Sequence, residues 1–147
     1  MTKKGVTLLE LIIVMVIIAI AATLAIPGVG SWLTNYRLRT ATRDVVSLMR
    51  TGQMKAVSEN IEYRVRFVSA DGSYVLQRRT TAGMWLDDGV AQRVPTGIRF
   101  QEVNLPDDCA EFNPNSTSSG GNLLLRNTKG NEKKIVLFSA TGRIRIE

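Results

Sequence analysis

Two stretches hold the residue types from which chemistry could be built. The first is KKGVTLLELIIVMVIIAIAATLAIP, Lys3 to Pro27, where Glu10 is the single acid in an otherwise apolar run. The second is the C-terminal GRIRIE, where Arg143 and Arg145 alternate with Ile144 and Ile146. If that stretch is a strand, both guanidiniums lie on one face about 7 Å apart, a spacing that can follow successive phosphates of a nucleic-acid strand. The same pattern also describes a solvated edge strand whose charges keep other strands away.

Elsewhere the sequence excludes more than it offers. There is no histidine in 147 residues, which removes imidazole general bases, His-containing triads and the usual zinc sites together. Cys109 is the one cysteine, so no internal disulfide can form, and a free cysteine is read first as a small buried side chain. Asp87-Asp88 and Asp107-Asp108 are adjacent carboxylates, without the spaced oxygen ligands of a calcium loop. Asn115-Ser116-Thr117 fits a three-residue glycosylation pattern, a weak signal. No enzymatic activity, metal or cofactor is expected.

The chain is 44% hydrophobic and 22% charged with a formal charge of +6, but the averages hide an asymmetry. The N-terminal quarter is apolar and the rest is polar and basic, which favours anionic partners without requiring any. Val6 to Ile26 is long enough to span a membrane if Glu10 is tolerated, since a span needs roughly 20 apolar residues. Lys3 and Lys4 before it predict a cytoplasmic N-terminus with the remainder exported. Three readings of this segment compete: a secretory signal peptide, a plain signal anchor, and a segment cut on its cytoplasmic side and then retained. Glu10 counts against the first two, because an acid at the centre of a span costs about 2.5–3.5 kcal/mol, less near an end. Trp32 reads as an interfacial anchor just past the run.

The elements that must position these residues follow from periodicity. Past Pro27, Leu38, Ala41, Val45, Leu48, Gly52 and Ala56 recur at three and four, which extends one helix from Val6 to about Ser58. At Ile61 the period becomes two: Ile61, Tyr63, Val65 and Phe67 alternate with Glu62, Arg64 and Arg66 in a half-buried strand. Asp71-Gly72 predicts a turn into YVLQRR. Further strands are expected at Gly97–Val103, Asn122–Arg126, Lys133–Phe138 and Arg143–Ile146, with turns at NTKGNE and at Ala140-Thr141-Gly142. Asn113 to Gly121, NPNSTSSGG, reads as a flexible loop. The fold class is α+β: a long N-terminal helix, apolar then amphipathic, with its second half laid on a C-terminal antiparallel sheet. Arg78-Arg79 and Lys133-Lys134 could extend a basic stripe, and Trp85 could stack on a base or lie in the core.

The N-terminal pattern resembles that of type IV pilins and type II secretion pseudopilins: glycine, a hydroxyl residue, two leucines, glutamate and a long apolar run behind basic residues. The resemblance implies cleavage by a prepilin peptidase between Gly5 and Val6, methylation of Val6, and a kink near Pro27. It also gives Glu10 a role, pairing with the α-amine of Val6 on a neighbouring subunit during assembly. The family usually has Phe where this chain has Val6. Residues 1–5 would be the leader, 6–30 the transmembrane and fibre-core segment, and 31–147 the globular domain. The later stretches RTATRDVVSLMRTGQMKAVSENIEYRV and AEFNPNSTSSGGNLLLRNTKGNEKKIVLFSATGRIRI resemble H-type minor pseudopilins and FimT-like minor pilins, while residues 69–108 are unmatched. The expected function is a minor subunit that primes or caps a type IV pilus or secretion pseudopilus. It would sit in the bacterial inner membrane with its C-terminal domain in the periplasm, alongside other major and minor pilins. The alternative implied by FimT-like proteins is uptake of DNA gripped by Arg143 and Arg145. A secreted protein with a discarded signal peptide is the third reading.

Overall fold

The structure, a computed structural model, describes residues 7–147, with side chains described for all of these but 24–29. A helix, α1, runs over Leu8–Glu59. Thr7 caps it: its hydroxyl accepts the Glu10 N–H at 3.3 Å, the arrangement of a Thr-x-x-Glu helix start. Asn60 ends it with φ of 54°, the left-handed conformation that Asn tolerates at a helix C-terminus. The chain divides into two units, Met1–Leu33 and Thr34–Glu147.

In the second unit α1 buries Leu38, Ala41, Thr42, Val45, Val46, Met49 and Ala56, the face expected from the three-four spacing. Gly52 lies on this face because there is no room for more: a Cβ there would meet Leu76 Cδ1 at 3.0 Å and Phe112 Cδ2 at 3.4 Å. The expected single sheet is divided in two. The first sheet contains β1 (Tyr63–Val68), β2 (Ser73–Arg79), β3 (Trp85–Asp87), β4 (Gln92–Arg93) and β6 (Cys109–Phe112). Its order is β3-β2-β1-β6, with β4 also paired to β2. The second contains β5 (Ile98–Asn104), β7 (Gly121–Asn127), β8 (Glu132–Leu137) and β9 (Ile144–Ile146) in the order β5-β7-β8-β9. All the pairings are antiparallel. Gln101 bulges out of β5 where its register with β7 shifts between Phe100 and Glu102.

The two sheets and the second half of α1 share one core. Tyr63, Val65, Phe67 and Leu76 come from the first sheet, and Phe100, Leu123, Leu125, Ile135 and Leu137 from the second. Aromatic rings join the sheets: Phe100 meets Phe67 edge-on with centroids 5.5 Å apart and Tyr74 at 6.2 Å, the geometry that ring quadrupoles favour. The unmatched stretch 69–108 supplies β2 to β5, so it is part of both sheets. The loop expected to be loose is tied down. Asn113 Nδ2 donates to Thr117 Oγ1 at 2.9 Å, and the Ser118 N–H donates to the Ser139 carbonyl at 2.8 Å.

Candidate assembly segment and C-terminal strand

Glu10 lies in the first turn of α1, where the unsatisfied N–H groups and the helix dipole favour a negative charge. The sequence reading found the acid but missed Thr7 as its cap; the signal was the hydroxyl three residues earlier. The large apolar side chains that follow, Leu11 to Ile20, stay uncovered, from 48% exposed at Val14 to 64% at Met15. Gly5 and Val6, the expected cleavage and methylation positions, lie outside the described residues. Pro27, where a kink is expected, is one of the residues whose side chains are not described. Among the described residues no helix is long and apolar enough to cross a membrane; the span expected over Val6 to Ile26 draws on residues beyond that set.

At the other end β9 pairs with β8, with Arg145 opposite Val136 and Ile144 opposite Leu137. The alternation holds in part. Ile144 is buried and both arginines are exposed, but Ile146, expected to share the inner face, is exposed too. Arg143, expected as the first residue of the strand, lies just before it, since β9 begins at Ile144. The glycine before it is fixed by packing. Gly142 has φ of 58°, and a Cβ there would lie 2.5 Å from Gln53 Nε2 on α1 and 2.7 Å from the Ser116 carbonyl oxygen.

The charges around β9 are mixed. Arg145 Nε lies 3.6 Å from Glu147 Oε1, and the Glu147 backbone exchanges hydrogen bonds with Lys134. Along the outward face of this sheet Lys134 and Arg126 are interleaved with Glu132, which lies 3.5 Å from Arg126. Of the dibasic pairs, only Lys134 shares a face with Arg145. Lys133 points the other way by strand alternation, and Arg78-Arg79 belongs to the first sheet, where Arg79 is held by Glu62. Trp85 is half-buried, with the Arg64 guanidinium 4.3 Å and the Arg79 guanidinium 5.7 Å from its ring centroid, so this ring is engaged by cations of its own chain.

The remaining candidates have structural surroundings. Cys109 is buried, and that burial pushes its thiol pKa up, away from the thiolate that would make it reactive. Asp88 pairs with Lys55 at 2.5 Å, and Asp87 accepts a hydrogen bond from Gln77 at 2.7 Å. Among the described residues no group of three His, Cys, Asp or Glu side chains is placed to hold a metal.

Residues 1–26 match the family model described as the prokaryotic N-terminal methylation motif. No curated protein matches the sequence. Among solved structures, the minor pseudopilin EpsH of the type 2 secretion system of Vibrio cholerae is similar with a TM-score of 0.65 at 9% identity, over 76% of this chain and 96% of that one. The chain is pilin-like in fold. A second EpsH structure gives 0.61 at 9% identity, over 78% of this chain and 94% of that one. The type IV minor pilin FimU of Pseudomonas aeruginosa gives 0.59 at 13% identity, over 77% of this chain and 90% of that one. The long helix and antiparallel sheets expected from the sequence are those of this pilin-like fold, and the methylation motif stands at its N-terminus.

Proposed function

We propose that this chain is a minor subunit of a type IV pilus or a type II secretion pseudopilus. One combination carries the reading: the N-terminal methylation motif over residues 1–26 is joined to a globular part with the minor pseudopilin fold. A prepilin peptidase cuts between Gly5 and Val6 and Val6 is methylated. The apolar first half of α1 holds the subunit in the inner membrane and is then covered by neighbouring pilins as it helps to prime or cap the fibre. Glu10 pairs with the α-amine of a neighbour's Val6, and in a low-dielectric bundle either charge left unpaired is expensive, which fixes register. Intact mass of the chain from cells with and without the peptidase tests this. Loss of Met1–Gly5 only when the peptidase is present supports it; loss of a segment of about twenty residues points to an ordinary signal peptide instead. Glu10→Ala should be cleaved normally yet be missing from sheared fibres.

A second reading is favoured by the exposure of both Arg143 and Arg145 beside the inward-packed Ile144. Here the subunit grips extracellular DNA during uptake, with the two guanidiniums on successive phosphates. Glu147 competes for Arg145. The test is titration of duplex DNA into the full chain in detergent micelles at two salt concentrations, beside Arg143→Ala/Arg145→Ala. Binding that weakens with salt and is lost in the double variant supports it. Absent binding, or binding that the variant leaves unchanged, removes it.

A further inference from the structure

The second sheet contains one pairing that works against itself. Arg99 of β5 lies directly opposite Arg126 of β7. Each sits between buried neighbours, Ile98 and Phe100 for the first, Leu125 and Asn127 for the second, so both side chains leave the same outward face. Among the described residues this is the one registered pair, in either sheet, that sets two charges of the same sign against each other. Where charges meet across strands elsewhere, at Arg64–Glu111 and Arg126–Glu132, the signs are opposite. Like charges directly across a ladder are destabilising. Glu132 offsets only one of the two. It lies 3.5 Å from Arg126 Nε, too far for a good hydrogen bond, and Arg99 takes part in none of the ion pairs among the described residues.

The two arginines line a cleft of about 420 Å³ at the Gly97 end of the sheet, bounded by the β7–β8 turn. Its frame is fixed. Asn127 is 4% exposed, and its side-chain oxygen accepts the N–H groups of Lys129 at 3.0 Å and Asn131 at 2.9 Å. The Thr128 N–H donates to the Gly97 carbonyl at 3.1 Å, which ties the turn to the start of β5. Gly130 passes so close to Arg126 that a Cβ there would lie 3.4 Å from its Nη2. Thr128 lines the same cleft, and its hydroxyl supplies a third donor. Two planar forks and a hydroxyl offer more donors than the two oxygens of a carboxylate use. A phosphate, with more oxygens and up to two negative charges, matches them. The volume leaves room for a small group attached to that phosphate.

We infer that this cleft binds the phosphate of a small phosphomonoester between Arg99 and Arg126, with Thr128 as the third donor. The repulsion within the arginine pair then becomes a shared attraction for one dianion. The site is separate from Arg143 and Arg145. The Arg126 row crosses β8 at Glu132 and the Arg145 row crosses it at Val136, four residues away, or about 14 Å along the strand. The inference does not rest on the fibre reading, whose mass test can succeed or fail independently.

Isothermal titration calorimetry of the full chain in nonionic detergent micelles tests it, in phosphate-free buffer at about 50 mM salt. The probes are glycerol 3-phosphate, inorganic phosphate and acetate. Glycerol 3-phosphate should bind at one site per chain with a Kd below about 1 mM. Inorganic phosphate, the same group without its carrier, should bind more weakly, and acetate should not saturate the chain. Arg99→Gln and Arg126→Gln should each weaken ester binding at least about tenfold. Arg99→Lys, which keeps the charge but not the fork, should weaken it less, and it gives the same reading should Arg99→Gln fail to fold. Arg143→Ala/Arg145→Ala should leave binding unchanged. Absence of saturable phosphate binding overturns the inference. So does affinity that both glutamine variants retain, or equal binding of acetate, which would make it general anion attraction. Inorganic phosphate that binds as tightly as the ester overturns the monoester, and loss of binding in Arg143→Ala/Arg145→Ala would move the phosphate to β9.

Discussion

The stretches Leu8 to Ile20 and Leu38 to Ala56 belong to one helix and are both rich in apolar residues, yet they fare oppositely. In the first, the large apolar side chains are at least 48% exposed; in the second, Leu38, Ala41, Val45, Val46, Met49 and Ala56 are at most 4% exposed. Helix propensity does not separate them. Arrangement does. The second stretch gathers its apolar residues on one face, which a sheet of the same chain covers, whereas the first is apolar on every side. An all-round apolar helix has no inside, and its cover has to come from lipid or from other chains.

The largest test of this contrast is a pair of truncations. Phe112→Ala, at a side chain with no exposure, should cost about 3–5 kcal/mol in urea unfolding through the cavity it leaves. Ile17→Ala, 59% exposed, should leave the same transition within about 0.5 kcal/mol. Equal losses would mean that the apolar half is covered within its own chain. Next comes Gly142→Ala, which meets both a left-handed backbone and the Gln53 amide at 2.5 Å; it should destabilise by roughly 2 kcal/mol or more. At Gly30 an added Cβ would touch nothing within 4 Å, and Ala should be neutral or stabilise the helix by up to about 1 kcal/mol.

A pH titration sharpens the contrast within the second unit. Burial, and then the Asp44 carboxylate, push the Tyr74 pKa from 10.0 up to about 12. Folding favours the neutral phenol, so its contribution is complete below pH 10 and is lost as pH rises through about 12. Burial moves Tyr63 in the same direction. Unfolding midpoints should therefore fall across that window, and less steeply in Tyr74→Phe; identical slopes would refute the assignment. The smallest expected effect is at Asn35, whose side-chain oxygen accepts from Asn127 Nδ2 at 3.1 Å and Asn131 Nδ2 at 2.6 Å. Asn35→Ala should cost about 1 kcal/mol, visible as faster amide exchange in the β7–β8 turn.

Where a signal was local, the sequence displayed it. Tyr63, Val65 and Phe67 alternate inward as their spacing implies, and the helix face from Leu38 to Ala56 follows from its period. β6 was not legible. CAEF lies between two aspartates and Asn-Pro, and it becomes a strand because β1, more than forty residues earlier, offers a free edge. β3 and β4 have three and two residues, too short for any period to show. The division into two sheets was hidden for the same reason: β5 leaves the first sheet to pair with β7, a choice made by partners distant in sequence. Of the site residues, Glu10 was plain because an acid in an apolar run is conspicuous. The Arg145–Glu147 contact was not, since it depends on the path of the last strand.

That path back to β6 has a kinetic consequence. The hairpins β1–β2 and β7–β8 pair strands that are neighbours in the chain, whereas β6 pairs with β1 across the intervening β2 to β5, and contacts between close neighbours are expected to form first. Loop closure makes its docking on β1 the expected late step. The segment that docks carries Phe112 and Cys109, both buried once it is in place. The single thiol is therefore a built-in clock: in a refolding time course with pulsed alkylation, its protection should lag the formation of the hairpins and mark the moment at which the first sheet is complete.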